Sequence, residues 1–222
     1  IVNEKASLIH IIHHRLCSSE LIAKLLFNVR IDPRIIKEKK SFPHLFDLTS
    51  ILISNFMKKL LNRNSNKRIC DMGTGRYGIL SIYLKKKYPQ CNIIASDIDE
   101  KFVSNANTNF KYNDVNVIGY NSDLYNNLPK SNFDFVLWNL PYYADPGTYL
   151  KSFFIQSKNN LSEEGMLVVG YNSHATATKT IIDILVKING LKLTSLINYK
   201  WNNHSILVIK KIYFIAKNIS NR

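Results

Sequence analysis

The feature that most constrains this chain is the glycine-rich segment Asp71-Met72-Gly73-Thr74-Gly75-Arg76-Tyr77-Gly78. An apolar run over residues 68–70 precedes it and a helical pattern over residues 79–84 follows it, which predicts a strand, a tight turn and a helix. Glycines at alternate positions let the backbone turn sharply and bring its amides and the next helix N-terminus close to a ligand. Such turns serve many nucleotide and phosphate sites, so the segment predicts a binding turn without identifying the ligand.

Composition indicates one main domain in a reducing compartment. A chain of 222 residues with 45% hydrophobic residues can bury one substantial core. Cys17, Cys70 and Cys91 are few and scattered, which argues against a disulfide framework. No apolar run approaches the length of a membrane span, and the N-terminus lacks a signal-peptide pattern. We therefore expect a cytoplasmic protein with no membrane partner.

The formal charge of +14 is unevenly distributed. Basic residues outnumber acidic ones by 11 to 5 over residues 1–66 and by 10 to 3 over residues 146–222, but only by 9 to 8 over residues 67–145. Basic flanks around a nearly neutral middle suit a small-molecule pocket bordered by surfaces that attract an anionic polymer. A lysine-rich solvated surface, produced by compositional bias toward Lys, Asn and Ile, is the alternative.

We expect residues 1–45 to form a small helical N-terminal region, used for substrate recognition or as a lid, ahead of a main domain over residues 46–222. Apolar residues recur at helical spacing over residues 8–16 and 21–26. The dipeptide Asp32-Pro33 predicts the N-cap and first position of a short helix. A stronger helical pattern covers residues 47–61.

One face of the first predicted helix carries side chains that metals can use, namely His10, His13 or His14, and Cys17. No second pair of ligands appears elsewhere in the chain. A helix with partly buried imidazoles and a small apolar thiol explains the pattern better, so we expect no metal site.

From residue 68 onward, short apolar runs alternate with helical patterns, which indicates a parallel sheet covered on both faces. The last two runs are joined by a short polar link, which predicts an antiparallel hairpin. The predicted strands cover residues 68–72, 92–97, 115–120, 133–139, 165–171, 191–199 and 205–216, and the predicted helices cover residues 78–88, 99–112, 147–160 and 175–189.

Polar motifs fall where four of these strands end. The first is Asp71-x-Gly73-x-Gly75, and the second strand ends in Asp97. The third strand is followed by Asn121-Ser122-Asp123 and the fourth by Asn139-Leu140-Pro141-Tyr142. In this order the motifs resemble those of the class I S-adenosylmethionine-dependent methyltransferases, over residues 43–216. One departure is Tyr77, which stands where many relatives carry a third glycine.

The resemblance implies an α/β, doubly wound, Rossmann-like fold with a seven-stranded, mostly parallel sheet and S-adenosylmethionine as cofactor. The glycine turn would hold the methionine end, and Asp97 would accept hydrogen bonds from the ribose hydroxyls. The residue after the third strand would lie near the adenine amino group. The cofactor-binding residues implied are Asp71, Gly73, Thr74, Gly75, Asp97, Ile98, Ser122, Asp123 and Asn139.

The motif at the end of the fourth strand indicates the reaction. An amino group conjugated to a ring or carbonyl is a poor nucleophile because its lone pair is delocalised. The Asn139 oxygen and the next backbone carbonyl can accept its two N–H bonds and direct the lone pair at a methyl group. Pro141 would rigidify the turn and Tyr142 would stack on a planar substrate. We therefore predict Asn139, Pro141 and Tyr142 as catalytic residues of an N-methyltransferase.

Two resemblances imply different acceptors. The Asn-Leu-Pro-Tyr form is like that of the ribosomal RNA adenine dimethyltransferases. The surrounding sequence, including Asp71-Met72-Gly73-Thr74-Gly75, is similar to the release-factor glutamine methyltransferase and small-domain group. Upstream, Phe42-Pro43 with Asp47-Leu48-Thr49 resembles a segment that covers the cofactor in the release-factor methyltransferases. The partner implied is RNA, the ribosome or a protein substrate.

Two other functions stay open. A small-molecule enzyme of the same fold could cyclise S-adenosylmethionine to azetidine-2-carboxylate and release methylthioadenosine, with Tyr142 and Tyr143 near the sulfonium. A non-catalytic S-adenosylmethionine-binding module is the alternative from a different class. Nothing in the sequence indicates the oligomeric state.

Overall fold

The fold is an open, twisted sheet with helices on both faces. A computed structural model describes residues 15–37, 44–141, 146–199 and 203–212. The strands within these residues are β1 (Arg68–Met72), β2 (Asn92–Asp97), β3 (Ile118–Asn121), β4 (Phe133–Asn139), β5 (Leu161–Asn172), β6 (Leu191–Tyr199) and β7 (His204–Lys211). They form one sheet in the order β3-β2-β1-β4-β5-β7-β6. Strands β1 to β5 are parallel, and β7 runs antiparallel between β5 and β6.

Helices cover the sheet on both sides because the strands are apolar on both faces. The helices are α1 (Glu20–Phe27), α2 (Pro33–Lys37), α3 (Leu48–Leu60), α4 (Ile79–Lys87), α5 (Glu100–Tyr112), α6 (Pro146–Asn160) and α7 (Thr178–Leu185). One core cluster joins α1, α3, α4 and α5 to the sheet, and a second joins α6 and α7 to it. The predicted doubly wound fold with a C-terminal hairpin is confirmed. Among the described helices, none is both long and apolar enough to cross a bilayer.

Three predicted elements begin three or four residues away from their predicted start, and local hydrogen bonds explain two of these differences. Strand β3 begins at residue 118 rather than 115, because the amide of Val115 bonds back to the end of α5 and closes a turn. Helix α7 begins at residue 178 rather than 175, because Asn172 holds residues 174–176 in a turn through its carbonyl and side chain. The helix also ends earlier than predicted, at residue 185 rather than 189. Strand β5 starts four residues earlier than predicted. Residues 213–216 of the last predicted strand lie outside the described residues.

The described part of the N-terminal helical region packs on the same core as the sheet. Cys17, Phe27 and Ile35 are buried in the cluster that contains α4 and α5. Asn113, just after α5, accepts a hydrogen bond from the amide of Arg30 at 2.9 Å and donates one to its carbonyl at 2.7 Å. The expected cap at Asp32 is confirmed, since its carboxylate accepts from the Arg34 amide at 2.8 Å. His10, His13 and His14 lie outside the described residues.

The glycine turn provides a test of the fold. Gly78 caps α4 with φ 59°, and a Cβ there would collide with the ring of Phe110. Gly75 has φ +69°, but a Cβ there would meet nothing within 4 Å. We expect Gly78→Ala to lower the free energy of unfolding by about 3 kcal/mol, from backbone strain plus overpacking. Gly75→Ala should cost only about 1 kcal/mol, from backbone strain alone.

Urea unfolding of both variants beside the unmodified protein measures the difference. Equal losses of stability in the two variants would contradict the role assigned to Phe110.

Candidate functional site

The predicted motifs gather at one edge of the sheet because parallel strands end together there. Met72 pairs with Ser96 on one side and Trp138 on the other, and Asp97 pairs with Asn121. Two adjoining cavities of about 400 and 320 Å³ open at this edge. Volumes of this order are typical of small-molecule sites.

The two cavities divide the predicted site residues between them. The first cavity is lined by Asp97, Ile98, Ser122 and Asp123. The second cavity is lined by Asp71 and Thr74. The residues that line both cavities, and so join them, are Gly73, Gly75, Phe102, Asn139 and Pro141. Tyr142 lies outside the described residues.

Asp71 organises the glycine turn from within. Its side chain is 3% exposed, and Oδ2 accepts hydrogen bonds from Thr74 Oγ1 at 2.7 Å and Ser81 Oγ at 2.6 Å. The amide of Thr74 donates to the Ser96 carbonyl at 2.8 Å, which ties the turn to β2. The carboxylate therefore holds the turn in shape, so that its backbone is presented to the second cavity.

Tyr77 occupies a position that does not need glycine. Positive φ within the turn occurs at Gly73, Gly75 and Gly78. Gly78, one residue later, therefore supplies the positive φ that a third glycine at position 77 would otherwise provide. The Tyr77 ring is buried and lines the second cavity, and its hydroxyl makes no hydrogen bond to any described residue. Burial raises the pKa of this hydroxyl.

Asp97 connects the end of β2 to the glycine turn. Its Oδ2 accepts from the Gly75 amide at 2.9 Å, and its Oδ1 accepts from the Asp99 amide at 3.1 Å. Burial raises the pKa of Asp97, while these amide bonds lower it. Ser122 is buried, and its Oγ donates to the Leu124 carbonyl at 2.9 Å. The next residue, Asp123, is exposed and lines the first cavity.

The first cavity fits the adenosine part of S-adenosylmethionine. It is lined by the Asp97 carboxylate and by the apolar side chain of Ile98, which is 59% exposed. The space next to Gly75 that a Cβ would enter is open. A ribose needs acceptors and an adenine needs apolar walls, and both are present here.

Asn139 lies at the end of β4 with its amide group fixed. Its Nδ2 donates to Asp47 Oδ1 at 2.8 Å and to Ser50 Oγ at 3.2 Å. A carboxylate only accepts hydrogen bonds, so the NH₂ group must face Asp47 and the Oδ1 atom of Asn139 is left as an acceptor. Asp47 also caps α3 by accepting from the Ser50 amide at 2.8 Å.

The N-terminus of α3 is anchored to the sheet beside this contact. Thr49 Oγ1 lies 2.6 Å from Nδ1 of His204, which is buried at the start of β7. Gly170 on β5 has no side chain, and a Cβ there would collide with Thr49. The helix can therefore approach the sheet closely enough for Asp47 to reach Asn139.

Several residues that line the site were not predicted. They are apolar or aromatic and carry no recognisable motif, namely Met72, Phe102, Leu124, Trp138 and Tyr149. Trp138 packs beneath the turn, since a Cβ on Gly73 would lie 3.2 Å from its Nε1. Its place next to Asn139, at the end of a strand, is the one signal that could have identified it.

Comparison with known proteins identifies related sequences for most of the chain. Residues 44–196 match the family model described as "Methyltransferase small domain". The ribosomal RNA small subunit methyltransferase C of Photobacterium profundum is 27% identical over 153 residues, which are 68% of this chain and 43% of that protein. A putative protein N5-glutamine methyltransferase of Methanocaldococcus jannaschii is 38% identical over 77 residues, 35% of this chain and 38% of that protein. The chain thus spans less than half the length of these relatives.

A solved structure shares the fold. It is a 16S rRNA N2 methyltransferase from T. thermophilus, in complex with AdoMet and guanosine. The match has a TM-score of 0.60 and 16% identity, and covers 75% of this chain and 44% of that chain.

The buried Asp71 predicts a pH dependence of stability. Burial raises the pKa of Asp71 from its ordinary value of 3.8 to about 6, against the lowering effect of the Ser81 and Thr74 hydroxyls. The folded protein therefore holds this proton more tightly than the unfolded chain, so the contribution of Asp71 to stability is largest below pH 3.8 and is lost as the pH rises through about 6.

Asp71→Asn keeps the shape of the side chain and cannot ionise. We expect the unmodified protein to lose up to about 3 kcal/mol of stability relative to Asp71→Asn as the pH rises across this range. Urea unfolding of both proteins at a series of pH values measures this, and a difference that stays constant with pH would contradict it.

Proposed function

Because this chain belongs to the methyltransferase small domain family, we propose that it is an S-adenosylmethionine-dependent N-methyltransferase that acts on the amino group of an RNA base. RNA is favoured over a protein glutamine on two grounds. The ribosomal RNA methyltransferase relative aligns with 68% of this chain and the glutamine methyltransferase relative with 35%. The net charge of +14 also favours an anionic polymer as partner.

The main support for this proposal is the fixed orientation of the Asn139 side-chain amide. Asp47 and Ser50 occupy its two N–H donors, at 2.8 and 3.2 Å. Its Oδ1 atom therefore has a defined direction before any substrate binds, and it lines the junction of the two cavities. A side-chain acceptor fixed in this way is suited to an N–H donor, which a planar amino group supplies.

The residues of the site fit the cofactor, which supplies an electrophilic methyl group on a sulfonium when bound. Asp97 would accept hydrogen bonds from the ribose hydroxyls, and Asp123 from the adenine amino group. Gly73 and Gly75, shaped by Asp71 and Thr74, form the turn beside the methionine part.

Asn139 and the carbonyl of Leu140 hold the acceptor amino group. The Leu140 amide donates to the Gly170 carbonyl at 2.8 Å, which fixes the peptide at the end of β4. Pro141 restricts the next φ and keeps the carbonyl direction constant. Two acceptors on one amino group favour a more tetrahedral nitrogen and direct its lone pair toward the methyl group. The nitrogen then needs no strong base, because its proton becomes acidic after methylation and passes to water.

The products test the proposal. We expect S-adenosylhomocysteine when the protein is incubated with S-adenosylmethionine and ribosomal RNA, and none with S-adenosylmethionine alone. Methylthioadenosine without an acceptor would instead show cyclisation of the cofactor. Absence of both products would show a binding module, and a product formed only with a glutamine peptide would show a protein methyltransferase.

Asn139→Ala should lower the rate of S-adenosylhomocysteine formation by about 100-fold, because the acceptor amino group loses one of its two oriented partners. Asn116→Ala, at an exposed loop residue, is the matched control and should leave the rate unchanged. An Asn139→Ala rate equal to that of the control would show that the amide has no role in the reaction.

A further inference from the structure

A basic groove lies at the edge of the sheet opposite the candidate site. It is a cavity of about 490 Å³ lined by Lys58, Leu61, Asn62, Arg63, Lys86, Lys87 and Tyr88. Helix α3 ends just before β1 and α4 ends just before β2, so the groove lies at the amino ends of these parallel strands. Four of its seven lining residues are cationic and none is acidic.

The cations of the groove contact neutral groups. Lys58 Nζ donates to Asn55 Oδ1 at 2.8 Å, and Lys86 Nζ donates to the Asn28 carbonyl at 2.8 Å and to Asn113 Oδ1 at 2.9 Å. Lys58 and Lys87 also lie 5.8 and 5.7 Å from the centre of the Tyr83 ring. These contacts orient the positive charges without neutralising them.

Two of the described acidic side chains at this edge of the sheet lie near arginines outside the groove. Asp114 lies 3.7 Å from Arg30, and Asp134 lies 3.8 Å from Arg68. Burial and the neighbouring Arg30 lower the pKa of Lys86, although Asp114 raises it. Positive charge is therefore crowded here, and an anion that binds in the groove would relieve the repulsion.

A phenol group adds a second kind of donor. Tyr88 lines the groove and is 2% exposed, and its hydroxyl has no hydrogen-bond partner among the described residues. A buried hydroxyl without a partner costs stability, which an acceptor oxygen would restore. Phosphate oxygens accept hydrogen bonds from phenol, ammonium and guanidinium groups alike.

We propose that the basic groove binds the phosphodiester backbone of the RNA substrate. The identity of the polymer rests on the proposed function, whereas the charge of the groove does not. Strand β1 has five residues and so spans roughly 17 Å between the two edges. An RNA strand that passes along this side of the molecule contacts the groove with its backbone while one base enters the site at the other edge.

Matched charge variants test the groove. The groove variant carries Lys58→Gln, Arg63→Gln and Lys87→Gln. The control variant carries Lys151→Gln, Lys179→Gln and Lys192→Gln at exposed positions on α6, α7 and β6. Both lose three positive charges, so an effect of net charge alone is the same in the two proteins.

Binding of a labelled single-stranded RNA of about 20 nucleotides is followed by fluorescence anisotropy at about 50 and 200 mM salt. We expect the groove variant to bind at least about tenfold more weakly at the lower salt concentration, with a slope of log K against log salt that is smaller by about 2. The control variant should change by less than about threefold.

Equal weakening in both variants, or unchanged binding by the groove variant, overturns the proposal. Binding to polyglutamate is measured in the same way. If the groove variant lost binding to polyglutamate but still bound RNA, the proposal would also be overturned, since the groove would then be a surface for an acidic protein. The affinity for S-adenosylmethionine, measured by calorimetry, should be the same in both variants and confirms that each is folded.

The experiments distinguish an error in the RNA-binding role of the groove from an error in the proposed reaction. If the protein never methylates RNA but binds it through the groove, the proposed reaction is wrong and the RNA-binding role of the groove is supported. If the protein methylates RNA and the groove variant binds and methylates it as well as the control does, the groove is wrong and the reaction stands.

Discussion

The hydrogen bond between Asp47 and Asn139, 2.8 Å long, connects the helical layer of this protein to the chemistry at the end of β4. It exists because α3 lies close against β5 and β7, where Gly170 leaves space for Thr49 and where Thr49 meets His204. Packing in the interior of the protein therefore determines the direction of one amide group in the site. Under the proposed function, Asp47 would be a positioning residue and Asn139 would contact the substrate.

The two edges of the parallel sheet carry different chemistry. At the carboxyl edge, strand ends and the glycine turn present carboxylates and backbone groups around two joined cavities. At the amino edge, the ends of α3 and α4 and the loop after α3 present lysine and arginine side chains around the basic groove. The proposed RNA substrate, with uncharged bases on a charged backbone, would match this division.

Much of this arrangement was predictable from the sequence because local rules govern it. Gly73 and Gly75 marked the turn, and Asp97 and Asn139 marked the ends of strands. The predicted α/β fold and the family, S-adenosylmethionine-dependent methyltransferases, are confirmed. The roles assigned to individual site residues stay predictions, and for Asp71 the structure adds a contact with two hydroxyls inside the turn.

What sequence reasoning missed depends on residues far apart in the chain. Asp47 and Asn139 are separated by 92 positions, and Thr49 and His204 by 155. No local pattern reports such a contact. The basic groove was equally hidden, since lysines at the ends of two helices look like ordinary solvated residues until the fold brings them together. The sequence also did not show why Tyr77 can replace the third glycine of the turn. The structure explains it, because the positive φ falls at Gly78, one residue later.

The most direct test of this account compares Asp47→Ala with Ser19→Ala. Each variant removes the side-chain N-cap of one helix, at a cost of about 1 kcal/mol, but only Asp47 also contacts Asn139. We expect Asp47→Ala to lower kcat for RNA methylation at least about tenfold with an unchanged Kd for S-adenosylmethionine, and Ser19→Ala to leave both constants unchanged. Equal kcat values in the two variants would contradict it.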